Sequence, residues 1–179
     1  TVAEYLASDY GFDHLSLSDM IRDRLRREGQ TVTIDHLTEM GNRIRREDGP
    51  GALGRLAVDA MRPDGRYVVT SIRHPAELEA LRQRPPCLML FVDAPIALRY
   101  QRSVRRGRGD DTMTFEQFVA AEQRQTTTRD SNAQNLAACK DMADHVIVND
   151  QDLDALYRQV DAVLDPSRPD GFGALNRKE

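Results

Sequence analysis

An α/β fold built on a doubly wound parallel sheet, with helices on both faces, is predicted by three features of this 179-residue chain. Short strand-length runs at residues 12–17, 66–71, 87–92 and 145–149 alternate with longer stretches of helical periodicity, the pattern of βαβ units. The run at 87–92 (Cys-Leu-Met-Leu-Phe-Val) is almost continuously apolar, which predicts a strand buried on both faces, as in a parallel sheet. Asp93 and Pro95 then punctuate it and open a helix carrying Arg99, Arg102, Arg105, Arg106 and Arg108. Ligands of such sheets sit at the carboxyl ends of the strands. An arginine cluster delivered there suits phosphate, while a solvated basic face is the competing reading.

Each element has its own signal. Residues 1–10 read as a helix with Val2, Ala3 and Leu6 inward, ended by Gly11. Residues 12–17 alternate as a short strand, and Ser18 is predicted to cap a helix over 19–28, closed by Gly29. Ile34, Leu37, Met40 and Ile44 mark a helix over 33–46. Asp48-Gly-Pro-Gly51 breaks it, and Leu53, Leu56, Ala57 and Ala60 mark the next helix, over 52–61. After the turn Pro63-Asp-Gly65 come the strand at 66–71, the segment Ile72-Arg73-His74 and a helix begun by Pro75. Thr114-Phe-Glu-Gln117 is a capping-box signature. Residues 124–129 are poorly periodic, 135–143 helical, 145–149 a last strand and 153–164 a final amphipathic helix. The tail at 165–179, with two prolines and two glycines, reads as a disordered linker beside one domain at 1–164.

Composition narrows the function classes. A formal charge of −4 gives no sign of a general nucleic-acid or membrane binder. No run reaches the ~18 apolar residues of a membrane span, and no signal peptide is visible. Two cysteines, Cys87 and Cys139, fit a reduced cytoplasmic protein. His14, His36 and His145 lack metal-ligand spacing, so no metal site on the protein is expected. Of 25 basic residues only Lys140 and Lys178 are lysines, a bias that suits bidentate phosphate contacts and equally a genome-wide preference.

In this order the segments resemble P-loop nucleotide kinases of the adenylate-kinase-like and dephospho-CoA-kinase-like group. Thr1-Val-Ala-Glu-Tyr-Leu resembles the helix after a Walker A loop, and Ser18-Asp-Met-Ile-Arg22 the opening of the monophosphate-binding helix. Ser71-Ile-Arg73 falls where these kinases hold an arginine against the acceptor phosphate. Arg102 and Arg106 fall at their paired lid arginines, and Ala143-Asp-His-Val-Ile-Val-Asn149 at the strand before the adenine loop. Gly49-Pro-Gly-Ala-Leu and Asp110-Asp-Thr-Met-Thr-Phe-Glu-Gln-Phe are similar to a branch of archaeal kinase-like proteins and kinase-like domains of some deoxycytidylate deaminases.

The resemblance implies an ATP- and Mg²⁺-dependent phosphotransferase with a small nucleotide or phosphorylated substrate. Arg73, Arg102 and Arg106 would be catalytic. Thr1 and Asn149 would lie on the donor nucleotide, and Asp19, Arg22 and Arg73 on the acceptor, with Arg124 or Arg129 adding charge. Asp19 equally fits simple stabilisation of its helix dipole. Two departures accompany it. No Gly-x-x-x-x-Gly-Lys-[Ser/Thr] is present, so ~10 or more further residues, holding that loop and a central strand, are expected before Thr1. Thr70-Ser71 stand where the family usually has an acidic residue, with Asp93 a possible substitute. The alternative is a catalytically silent nucleotide-binding regulatory domain associated with a deaminase.

Overall fold

The computed structural model describes residues 1–106, 114–126 and 133–164, with the side chains of Arg106 and residues 124–126 outside that description. Predictions falling on Arg108, Arg129 and the tail at 165–179 therefore lie outside the described residues. The architecture is α/β, with helices and short parallel strands alternating along the chain.

Helix α1 (Val2–Tyr10) ends at Gly11, whose φ of 74° is the left-handed cap conformation that glycine adopts without a Cβ clash. Strand β1 (Asp13–Ser16) leads directly into α2 (Leu17–Arg27). Ser16 caps that helix, its hydroxyl accepting from the Asp19 amide at 3.3 Å, two residues before the predicted Ser18. The strand fixes this boundary. Ser16 is the last β1 residue paired with its neighbour, and Leu17 is then fully buried as the first helical residue. Thr33 caps α3 (Ile34–Asp48) through the His36 amide. Next come α4 (Ala52–Ala60), β2 (Tyr67–Thr70) and α5 (Pro75–Arg82).

Strand β3 (Leu90–Asp93) begins three residues later than the apolar run that predicts it. Its partner sets that limit. The Met89 amide donates to the Asp144 side chain at 2.7 Å, and ladder pairing starts at Leu90 opposite His145. The strand is also less enclosed than predicted, with Val92 41 % exposed and Leu90 and Phe91 half-buried. Helix α6 (Ile96–Arg106) follows, then α7 (Phe115–Thr126) with the predicted capping box intact. The chain continues through α8 (Leu136–Asp141), β4 (His145–Val148) and α9 (Leu153–Leu164).

β1 pairs in parallel with β2, and β3 in parallel with β4, as two separate two-stranded sheets. One apolar cluster joins α1, β4 and α9 through Tyr5, Leu6, Tyr10, Ile147, Leu156 and Val160. The other joins α2, α3, α4 and α5 through Leu17, Ile21, Leu25, Met40, Leu53 and Leu81. Between them lies a slot of about 990 Å³. Every residue from Arg66 to Arg73 and from Arg84 to Asp93 lines it, so successive side chains of both alternating faces meet the same space. The slot therefore runs along the edges of β2 and β3 that have no strand partner among the described residues.

Candidate functional site

One end of the slot is polar. Ser71, Arg73, Asp93, Arg99, Glu122 and Lys140 line it there, at the carboxyl ends of β2 and β3. Helix α8 shows that these two ends lie together: the Asn135 amide donates to the Arg73 carbonyl at 2.8 Å, and Lys140 Nζ to Asp93 Oδ2 at 2.6 Å. Five residues of helix span only ~7.5 Å. The two strand pairs thus point the same way, with their carboxyl ends at one mouth.

Chain geometry aims Arg73 there. Ser71 leaves β2 with φ of 66°, a left-handed conformation costly for a residue with a Cβ and favoured where surrounding contacts impose it. The contacts come from Glu77. Its Oε2 accepts from the Arg73 amide at 2.8 Å and from the His74 amide at 3.1 Å, while Oε1 accepts from Arg45 Nε at 2.9 Å. His74 turns its ring to cap α5, Nδ1 accepting from the Ala76 amide at 3.1 Å. Burial pulls the Arg73 guanidinium below its ordinary value, and the like charge of Arg45 adds to this against the opposing charge of Glu77. A cation desolvated in this way favours an anionic ligand.

Glu77 reaches its place because two glycines bring α4 and α5 into backbone contact. A Cβ on Gly51 would stand 2.7 Å from the Ala76 carbonyl oxygen, and one on Gly54 2.4 Å from that of Glu77. Any side chain there would push the helices apart. Arg45 and Glu77 are absent from the residues that the sequence singles out. The spacing Gly51-Ala-Leu-Gly54 and a glutamate three residues after His74 were the available signals.

Asp93 is held on all sides. Its Oδ1 accepts from the Ala94 amide at 2.8 Å and Arg99 Nη1 at 2.9 Å, and its Oδ2 from Lys140. Burial pushes its carboxyl up, but the Lys140 bond, the Ala94 amide and the charges of Lys140 and Arg99 outweigh this and hold it below the usual range. Arg99 also bonds Glu122 of α7 through Nε at 3.0 Å, tying the arginine helix to its neighbour.

The remaining predicted residues divide into separate groups. Arg102 and Asn149 are brought together: Arg102 Nη1 donates to the Asn149 carbonyl at 2.8 Å and Nη2 to that of Gln151 at 3.3 Å, fixing the loop between β4 and α9. Asp19 and Arg22 bond each other at 2.6 Å on the surface of α2. Thr1 is the N-cap of α1, with Glu4 completing a capping box. Arg106 ends α6, with its side chain outside the described residues. Among the described residues no group of three or more His, Cys, Asp or Glu side chains is placed to hold a metal ion, and no helix is long and apolar enough to cross a membrane.

No family model matches the chain. Among curated proteins it is similar to the UPF0200 protein of Pyrococcus horikoshii, 26 % identical over 86 % of this chain and 83 % of that one. The UPF0200 protein of Methanoculleus marisnigri is 26 % identical over 90 % of this chain and 87 % of that one. That of Pyrobaculum aerophilum is 30 % identical over 156 residues, 86 % of this chain and 83 % of that protein. At that identity and coverage, the chain belongs to the UPF0200 family.

Proposed function

We propose that this protein is an ATP-dependent phosphotransferase acting on a nucleotide or a similar small phosphorylated metabolite. The observation that carries the reading is the Ser71–His74 turn, which holds a desolvated arginine at the carboxyl ends of parallel strands. Phosphoryl transfer asks a protein mainly for charge and positioning, and an arginine fixed by its main chain supplies both. On this reading Arg73 binds the acceptor phosphate, with Arg22 of α2 as its second clamp once released from Asp19. Arg102 orders the loop at Asn149 that meets the donor base, and Arg106 closes over the transferring group.

The apolar slot between β2 and β3 belongs to the same reading. One further parallel strand seated there would pair with both open edges and join the two sheets into a continuous, doubly wound sheet. The turn following that strand would open at the mouth beside Arg73, where a phosphate-cradling loop is needed.

The donor set at the mouth fits phosphate oxygens better than a protein-held Mg²⁺. Asp93 is the strand-end carboxylate available, and both of its oxygens are engaged by Ala94, Arg99 and Lys140. Mg²⁺ would therefore arrive on the ATP phosphates.

The same engagement of Asp93, with Thr70-Ser71 at the end of β2, favours a second reading: a nucleotide-binding regulatory domain without phosphotransfer. The two are separated by incubating the full-length protein with radiolabelled ATP, Mg²⁺ and a panel of nucleoside monophosphates and dephospho-CoA. Label transferred to one acceptor supports the phosphotransferase. Tight ATP binding with no labelled acceptor supports the regulatory domain.

A further inference from the structure

The buried Arg45–Glu77 pair does more than join two helices. Glu77 accepts three hydrogen bonds, from Arg45 Nε at 2.9 Å on one oxygen and from the amides of Arg73 and His74 at 2.8 and 3.1 Å on the other, and Arg45 Nη2 forms an ion pair with the first oxygen at 2.8 Å. Arg45 thus orients the carboxylate from one side while its free edge grips the turn after β2. The Arg73 carbonyl is held in turn by the Asn135 amide at 2.8 Å. Both hydrogen-bonding groups of the Arg73 main chain are thus committed to the fold. A buried ion pair is a poor device for stability alone, because its desolvation cost offsets most of the attraction and apolar pairs of like volume serve as well.

We propose that Arg45 and Glu77 are positioning residues that preset the Ser71–His74 turn so that Arg73 is presented to a phosphate group. This rests on the phosphate reading of Arg73 above. Neither residue touches the ligand. Their effect passes through two backbone amides, whose loss would let the turn relax from the left-handed conformation at Ser71.

The test uses the full-length protein, with inorganic phosphate and adenosine monophosphate as probes. Arg45→Met/Glu77→Leu keeps the packing and removes the grip, and Arg45→Met/Glu77→Met, which likewise offers the amides no oxygen, is the second variant should the first fail to fold. Melting temperature, amide exchange at Arg73 and His74, and probe affinity are read together. The expected result is a folded variant in which exchange at those two amides speeds at least 10-fold and probe affinity falls at least 10-fold. Wild-type exchange at both amides, or wild-type affinity despite faster exchange, would overturn the proposal. Arg73→Ala serves as the separate control. Undiminished probe binding in that variant would overturn the phosphate reading itself, whatever exchange shows about the turn.

Discussion

Arg45 and Glu77 meet inside the protein with 1 % and 0 % of their surface exposed, Arg45 Nη2 lying 2.8 Å from Glu77 Oε1. They lie 32 residues apart in sequence, on α3 and α5, and Glu77 sits where Gly51 and Gly54 let α4 close onto α5. Removing one partner strands the other charge in the core. Arg45→Ala and Glu77→Ala are each expected to cost about 3–5 kcal/mol in urea unfolding, and Arg45→Met/Glu77→Leu less, about 1–3 kcal/mol, because the amides of Arg73 and His74 still lose their acceptor. Equal losses in single and double variants would contradict this.

Gly54→Ala tests the helix contact. The added Cβ meets the Glu77 carbonyl oxygen at 2.4 Å and Cα at 2.9 Å, both backbone atoms that cannot rotate aside. A loss of about 1–3 kcal/mol is expected from overpacking, despite the better helix propensity of alanine. Gly29→Ala is the useful contrast. It has no neighbour within 4 Å and only a φ of 69° to strain it, so its loss should be smaller.

Cys139 is fully buried, and burial first, then the Glu77 charge, pushes its thiol up to about 11. Two outcomes are expected. In native protein at pH 8 a disulfide reagent should leave Cys139 unmodified, reacting only as the chain unfolds. Because the folded thiol keeps its proton above the ordinary value of 9.0, unfolding releases a proton above that pH. Stability should fall as pH rises from about 9 toward 11, less steeply in Cys139→Ala.

Asp93 has the opposite sign. Its carboxyl is held below the ordinary 3.8, so its contribution is present above that value and lost as pH falls through the lower folded value. Asp93→Asn should remove this acid-side loss. Its cost at pH 7 should be about 1 kcal/mol or less, since Lys140 and Arg99 are both partly in water. Acid unfolding followed by circular dichroism on both proteins measures it.

Local signals carried the fold well. Gly11 as a C-cap, the Thr114–Gln117 capping box and the periodicity of α3 and α9 depend on neighbours within a few residues, and each element formed where it was read. Boundaries set by a distant partner were not legible. Ser16 rather than Ser18 caps α2 because β1 stops where β2 stops, and β3 starts at Leu90 because β4 starts at His145. The site followed the same division. Arg73 was visible because it directly follows a strand, whereas Arg45 and Glu77 read as ordinary polar residues on amphipathic helices. Arg102 shared a helix face with the other arginines, and only the folded chain shows its guanidinium on the Asn149 carbonyl.

The phosphate role of Arg73 is the central claim, and steady-state kinetics of Arg73→Ala against wild type tests it most directly. With ATP, Mg²⁺ and whichever acceptor takes up label, the account predicts a fall in kcat/KM of at least 100-fold, about 2.7 kcal/mol of lost transition-state stabilisation. The main chain of Arg73 stays bonded to Glu77 and Asn135, so the variant should still fold with the turn after β2 in place. Turnover within a few-fold of wild type would contradict the account and leave the turn after β2 a structural feature.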